Sequence, residues 1–284
     1  MGKDVKLSVA IPYHGYRYEW TGKTIANIHN VSNVKEIIVY VDGKDSDVEK
    51  LLLLLKRYKK LRVFQDYEKK GAFKNKCRIV NYCKEDWIAL IDSDNVIGDR
   101  YIQALLKTNI NENVVYCPEA GLPMLRYSRF INMDIGMSLT RSLLGNDREF
   151  DMLINTGNYV FNRAKWIENT LGSRVSEFDP AGVDVAYTNY FLLKAGMVLK
   201  VLKGMMYRHA VHKGSYYLKN ANESVEKMKI IKGMYLEDSC NTGSVPSIKP
   251  SHLSAKTNWA ATGGESKGVF LQESGENGTG LLSD

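Results

Sequence analysis

The run Trp87-Ile88-Ala89-Leu90-Ile91 is continuously apolar and stops on Asp92-Ser93-Asp94-Asn95, two carboxylates separated by one small residue. A strand that is apolar at successive positions must be covered on both faces, the condition of a parallel sheet layered between helices. Ligands of such sheets lie beyond the carboxyl ends of the strands. Carboxylates placed there offer hard oxygen ligands that can hold a divalent cation against a phosphate. Asp and Ser after a strand are also ordinary turn and cap residues, so the segment takes its meaning from its surroundings.

Those surroundings repeat one unit. Leu7 to Pro12 reads as a strand, Thr21 to Val31 as a helix, and Glu36 to Val41 as a strand closing on Asp42-Gly43. Helix Asp45 to Tyr58, strand Leu61 to Phe64 and helix Lys74 to Cys83 follow, then the strand ending at Asp92 and helix Arg100 to Lys107. Alternation of this kind predicts an α/β fold with a mostly parallel sheet flanked by helices. The pattern then loosens: strand Val114 to Pro118, an irregular stretch from 122 to 144, strand Thr156 to Phe161, helix Val183 to Ala195 closed by Gly196, and strand Val198 to Leu202. The expected division is a domain over 1–236, with halves 1–110 and 111–236, the second of mixed character. Residues 237–284, rich in Gly, Ser, Asn and Thr, are expected to form a flexible tail because they carry too little apolar surface to offset their ordering entropy.

The 284 residues are 44% apolar and 25% charged, which is ordinary for a folded soluble protein. A net charge of +7 suits anionic partners, yet the basic residues are scattered apart from Lys56, Arg57, Lys59, Lys60 and Arg62, so no nucleic-acid surface is expected. Cys77, Cys83, Cys117 and Cys240 form no Cys-x-x-Cys pair, which speaks against a disulfide scaffold or zinc site and for a reducing cytosol. The amino terminus lacks an apolar signal core. The run Leu51 to Leu55 is too short to span a bilayer and reads as a buried helix segment. A cytoplasmic protein without a transmembrane segment, soluble or peripheral at a membrane, is the expectation. After the first strand, Pro12-Tyr13-His14-Gly15-Tyr16 is neither a Gly-rich phosphate loop nor Gly-x-Gly-x-x-Gly, which demotes a nucleotidyltransferase and a nicotinamide oxidoreductase.

In a parallel sheet Pro12-Tyr13, Asp42, Lys74-Asn75 and Asp92-Ser93-Asp94 all fall on one edge and make one site. With these residues in view, the chain resembles a GT-A-fold glycosyltransferase of glycosyltransferase family 2. Val9-Ala10-Ile11-Pro12-Tyr13 resembles that family's opening strand and Val41-Asp42-Gly43 its second-strand acidic turn. Gly71-Ala72-Phe73-Lys74-Asn75-Lys76 resembles its Gly…Ala-Arg-Asn segment, and Asp92-Ser93-Asp94-Asn95 its D-x-D motif.

The resemblance implies that Tyr13 and Asp42 contact the nucleotide base. Lys74 gives a point charge where the family usually has Arg. Asp92 would touch the ribose or a metal-bound water, Asp94 would ligate Mn²⁺ or Mg²⁺, and Pro12, Asn75 and Ser93 belong to the same nucleotide-binding edge. Phe178-Asp179 through Val183-Asp184 resembles the segment whose last Asp is the catalytic base. Asp184 is therefore the candidate base, with Asp179 and then Glu177 in reserve; Val183 stands where Glu is usual. Tyr207-Arg208-His209-Ala210-Val211-His212-Lys213 resembles a basic loop over the diphosphate, with Arg208 and Lys213 on phosphate oxygens and His209 or His212 as a further metal ligand. The implied activity is metal-dependent transfer, with inversion, of a sugar from a UDP- or GDP-sugar to a hydroxyl of a glycan, lipid-linked or protein acceptor, bound by the 111–236 half. The alternatives are an inert nucleotide-sugar-binding protein of the same fold and a nucleotidyltransferase.

Overall fold

The computed structural model describes residues 5–170, 180, 182–210, 221–237 and 269–270. The βα alternation forms as read: β1 (Leu7–Tyr13), α1 (Tyr18–Ile28), β2 (Val34–Val41), α2 (Val48–Arg57), β3 (Leu61–Gln65), α3 (Ala72–Tyr82) and β4 (Trp87–Leu90). Next come β5 (Asn95–Val96), α4 (Asp99–Leu106), β6 (Val114–Leu122) and β7 (Leu125–Arg126). A 3₁₀ turn (Ser128–Phe130), α5 (Met137–Leu143), α6 (Arg148–Ile154), β8 (Tyr159–Asn162) and α7 (Arg163–Thr170) complete the middle of the chain. The last elements are α8 (Asp184–Lys194), β9 (Val198–His209), α9 (Ala221–Glu237) and β10 (Val269–Phe270).

The strands join one sheet in the order β10-β3-β2-β1-β4-β8-β6-β9-β5, with β7 beside β6. Strands β3, β2, β1 and β4 are mutually parallel, and β8 runs against both β4 and β6. The two halves of the chain are thus continuous through the β4–β8 pairing, Leu90 opposite Tyr159, rather than separate bodies.

Alternate side chains of β1 and β2 feed two cores. Val9, Ile11, Ile37, Val39 and Val41 face one side, where Ile25 of α1, Leu51 of α2 and Ile102 of α4 cover them. Ala10, Ile38 and Tyr40 face the other, under Phe73, Ile79 and Val80 of α3 and Val185, Ala186 and Tyr190 of α8. Burial on both faces explains why these strands are apolar throughout. Helix α8 is enclosed along most of its length and sits against α3, α7 and α9.

Several expectations need correction. Of the Leu51 to Leu55 run only Leu51 is buried and Leu53 is exposed, because a helix turns successive residues through 100° and one flank faces solvent. Strand β9 does not stop at Leu202 but runs to His209, so Tyr207-Arg208-His209 is strand rather than loop, pairing with Asn95 and Val96 of β5. The irregular 122–144 stretch holds β7, the 3₁₀ turn and α5. Apart from Glu237, which ends α9, and β10, which pairs with β3, the expected tail lies outside the described residues. No helix of the described residues is long and apolar enough to cross a membrane.

Candidate active site

The carboxyl end of β4 and its turn form the floor of the site. Asn95 N–H closes the turn on the Asp92 carbonyl at 2.9 Å. Two hydroxyls of α1 fasten it from one side: Thr21 donates to the Ser93 carbonyl at 3.0 Å and Thr24 to the Asn95 carbonyl at 3.1 Å. From the loop after β1, Arg17 reaches the same turn, donating to Ser93 Oγ at 3.1 Å and pairing with Asp94 Oδ2 at 3.2 Å. Its Nε is buried without a hydrogen-bond partner, which leaves the guanidinium with unused donor capacity.

Asp92 turns the other way. Its main-chain N–H donates to Asn158 Oδ1 at 3.1 Å, and its carboxylate lies directly against Gly157, where any Cβ would overlap it. Oδ1 meets Lys76 Nζ at 3.1 Å, and the same ammonium stands 2.8 Å from Asp184 Oδ2. Lys76 is 8% exposed and Asp184 7%. Burial by itself would lower the lysine pKa, but Asp184 and then Asp92 outweigh it and hold the ammonium well above the ordinary value. Burial and the Asp184 charge also push the neighbouring Cys77 thiol up to about 12.

The placement of Asp184 follows from local structure. It is the first residue of α8, where the helix N-terminus favours a carboxylate. The segment before β8 holds that end of the helix: Ala186 N–H donates to Asn155 Oδ1 at 3.2 Å, and Asn189 Nδ2 to the Ile154 carbonyl at 2.8 Å. One stretch, 154–158, therefore positions both Asp184 and Asp92. The side chain of Asp184 goes to Lys76 and not into a capping bond.

At the other end of the edge, Asp42 accepts from the main-chain N–H groups of Lys70 at 2.6 Å and Gly71 at 2.9 Å. Gly71, at φ +87°, turns the chain from those bonds into α3. Tyr13, expected to contact the nucleotide base, has its ring fully buried, and its hydroxyl donates to Asp47 Oδ2 at 2.6 Å. Pro12 is likewise buried within β1. Asn75 is buried and donates to the Tyr13 carbonyl at 3.3 Å, its Oδ1 lacking a hydrogen-bond partner, whereas Lys74 is exposed.

His209 Nδ1 lies 3.0 Å from Asn95 Oδ1, beside the turn, while Arg208, the next residue back along the strand, is exposed. Alternation along β9 sends these two side chains to opposite faces. His212, Lys213, Asp179 and Glu177 lie outside the described residues.

Among the described residues Asp92, Asp94 and His209 do not gather into one cage, and His212, the other expected ligand, lies outside them. Among the described residues no three His, Cys, Asp or Glu gather where they could share a metal ion, because Asp92 turns to Lys76 and Asp94 to Arg17. The donor chemistry suits a cation held in another way, by one carboxylate together with substrate phosphates and water, an arrangement usual for Mg²⁺.

Sequence reading missed Arg17, Lys76, Gly157 and Asn158. A signal for Lys76 was present: Phe73, Lys76, Ile79 and Val80 recur at helical spacing, so Lys76 belongs to the inward face of α3.

Comparison with known proteins agrees with this architecture. Residues 8–123 match the family described as Glycosyl transferase family 2. A protein of Rickettsia bellii named "Uncharacterized glycosyltransferase" is 28% identical over 117 residues, covering 40% of this chain and 16% of that protein. Residues 1–349 of S. aureus TarS, crystallised in complex with UDP-GlcNAc, superpose with a TM-score of 0.60 at 14% identity, over 81% of this chain and 66% of that one. The same TarS fragment in complex with UDP gives a TM-score of 0.56 at 13% identity, over 80% of this chain and 65% of that one. The chain spans less than two thirds of each of these proteins. It has the GT-A glycosyltransferase fold and, over residues 8–123, the sequence pattern of glycosyltransferase family 2.

Proposed function

We propose that this protein is a glycosyltransferase that moves a sugar from a nucleotide-sugar donor to an acceptor hydroxyl, with inversion and with help from a divalent cation. The observation that carries the reading is the meeting of Asp184 and Asp92 on one buried lysine, beside the Asp94 turn, at the ligand-binding edge of a GT-A sheet. S. aureus TarS 1–349 was crystallised in complex with UDP-GlcNAc and with UDP, which supports a UDP-sugar as the donor class.

An acceptor hydroxyl is a poor nucleophile until its proton is taken during attack. Asp184 is the group for that proton: Oδ2 is held on Lys76, leaving Oδ1 to receive it. The base and the D-x-D turn sit on the two sides of Asp92, so proton removal and departure of the diphosphate fall at opposite ends of a single displacement. Arg17, with donor capacity to spare, would hand hydrogen bonds to the diphosphate when Asp94 is taken by a cation. Mn²⁺ or Mg²⁺ bound through Asp94 would neutralise charge gathering on the leaving diphosphate.

One observation favours the rival reading of an inert donor-binding protein: the carboxylate proposed as base is already ion-paired. Release of free nucleotide from a panel of UDP- and GDP-sugars, with and without Mn²⁺, separates the two. An active enzyme releases nucleotide, and Asp184→Asn lowers that rate about 10³-fold while donor still raises the melting temperature. Donor-dependent stabilisation without any nucleotide release by the parent protein would select the inert reading, and parental turnover in Asp184→Asn would remove Asp184 as the base.

A further inference from the structure

We propose that Lys76 is the positioning residue of the site, an internal ammonium that fixes the Asp184 carboxylate relative to Asp92; this rests on the reading of Asp184 as the base. The geometry is that of a bridge. Nζ lies 2.8 Å from Asp184 Oδ2 and 3.1 Å from Asp92 Oδ1, and the lysine side chain is 10% exposed. A lysine carries four rotatable methylenes and is seldom buried without a partner, so its enclosure here requires both carboxylates.

The backbone carrying Lys76 is anchored from three directions. Asp42 holds the Lys70 and Gly71 N–H groups just ahead of α3, and Asn75 is bonded to the end of β1. Phe73 meets Tyr187 of α8 edge to face, with centroids 5.8 Å apart. The ammonium is thus delivered from a rigid helix to the junction of two other elements, the end of β4 and the first turn of α8. Gly157 closes the remaining side, since its bare Cα is what allows the Asp92 carboxylate to lie where it meets Lys76.

Without the ammonium, two carboxylates would face each other in a largely dry pocket and turn apart. Asp184 would then lose the orientation that presents Oδ1 to an acceptor, and displacement of a reacting group by about 1 Å can cost about 100-fold in rate. With its ammonium enclosed against two carboxylates, Lys76 is assigned to act through Asp184 and not on the donor, so its removal should change turnover and leave donor affinity nearly alone.

The test is a double-mutant cycle on the full chain with Lys76→Met, Asp184→Asn and the pair together, read by nucleotide release with water as acceptor and by thermal unfolding. Lys76→Met is expected to lower kcat about 100-fold with the donor KM within about 3-fold of the parent. Its melting temperature should fall by about 10 °C, and adding Asp184→Asn should recover part of that loss, because one of the two carboxylates left facing each other without the ammonium is then neutral. If Lys76→Met does not fold, Lys76→Gln, which can still donate to both carboxylates, takes its place with the same expectations at smaller amplitude. A kcat per folded enzyme within about 3-fold of the parent, or stability losses that simply add, would overturn the proposal. Should the parent release no nucleotide from any donor, the functional reading falls, while the stability coupling between Lys76 and Asp184 still decides whether the bridge exists.

Discussion

Lys76 and Asp184 at one end of the site are buried and already matched to each other and to the half-buried Asp92, whereas toward β2 the carboxylate of Asp42 is bonded to main-chain N–H groups and the cation Lys74 stands in solvent. The difference has a physical consequence. Buried charges cannot be left unpaired, so the first end must be assembled before any ligand arrives. Solvated cations cost little to leave without a partner, and such groups can be recruited or ignored as a ligand requires. The base end is therefore built as a fixed geometry and the nucleotide end as an adaptable surface. Substitutions at the first should change turnover steeply, and those at the second should change donor affinity modestly.

After Asp184→Asn, the largest effect expected from this contrast is that of Gly157→Ala. A methyl at this position overlaps the Asp92 carboxylate, which must rotate off Lys76 to make room. Overpacking of this kind costs roughly 1–3 kcal/mol, and the displaced carboxylate should lower kcat by about 100-fold. Chemical denaturation and nucleotide-release rates measure the two together. A fully active Gly157→Ala would mean that Asp92 has no fixed position to lose, and the contrast between the two ends would disappear.

Asp42→Ala probes the opposite end. Its carboxylate takes two charge-assisted hydrogen bonds from Lys70 and Gly71, so its loss should destabilise the chain by about 2 kcal/mol. Because the freed segment leads into α3 beside the nucleotide edge, the donor KM should rise about 10-fold with kcat changed less than KM. Urea unfolding and donor titration separate these effects. A loss confined to kcat would place Asp42 in the base machinery instead.

Why some of this was legible in the sequence and some not can be argued from particular residues. Strands β1, β2 and β4 are apolar at successive positions because helices cover both faces, and that pattern needs no tertiary knowledge. The Asp92–Asn95 turn was located correctly because a strand end is marked by the abrupt change from apolar to carboxylate. The burial of Tyr13 was not legible because β1 extends one residue past Pro12, which carries the ring into the core and onto Asp47. Strand β9 was cut short at Lys203-Gly204, although Met205 and Tyr207 alternate inward against Met206 and Arg208 outward. Gly157 and Asn158 carry no local signal at all. Their importance comes from the approach of Asp92, 65 and 66 residues away in the chain, which only the β4–β8 pairing creates.

The smallest predicted effect bears on the choice between two lysines of α3 that stand two residues apart and so on opposite sides of the helix. Lys74 is exposed and Lys76 is enclosed, though resemblance alone pointed to the former. Lys74→Ala removes a solvated charge near the nucleotide edge, so stability should stay within about 0.5 kcal/mol and the donor KM should rise by less than about 3-fold at physiological salt. Screening sharpens the comparison: any effect of Lys74→Ala should fade as salt is raised to about 1 M, where the Debye length is near 3 Å, whereas the effect of Lys76→Met should persist because Lys76 and Asp184 are both shielded from solvent. Donor titrations for both variants at low and high salt give the answer directly. A Lys74 effect larger than that of Lys76, and insensitive to salt, would show that the bound donor draws Lys74 out of solvent and would reverse the assignment of fixed and adaptable ends.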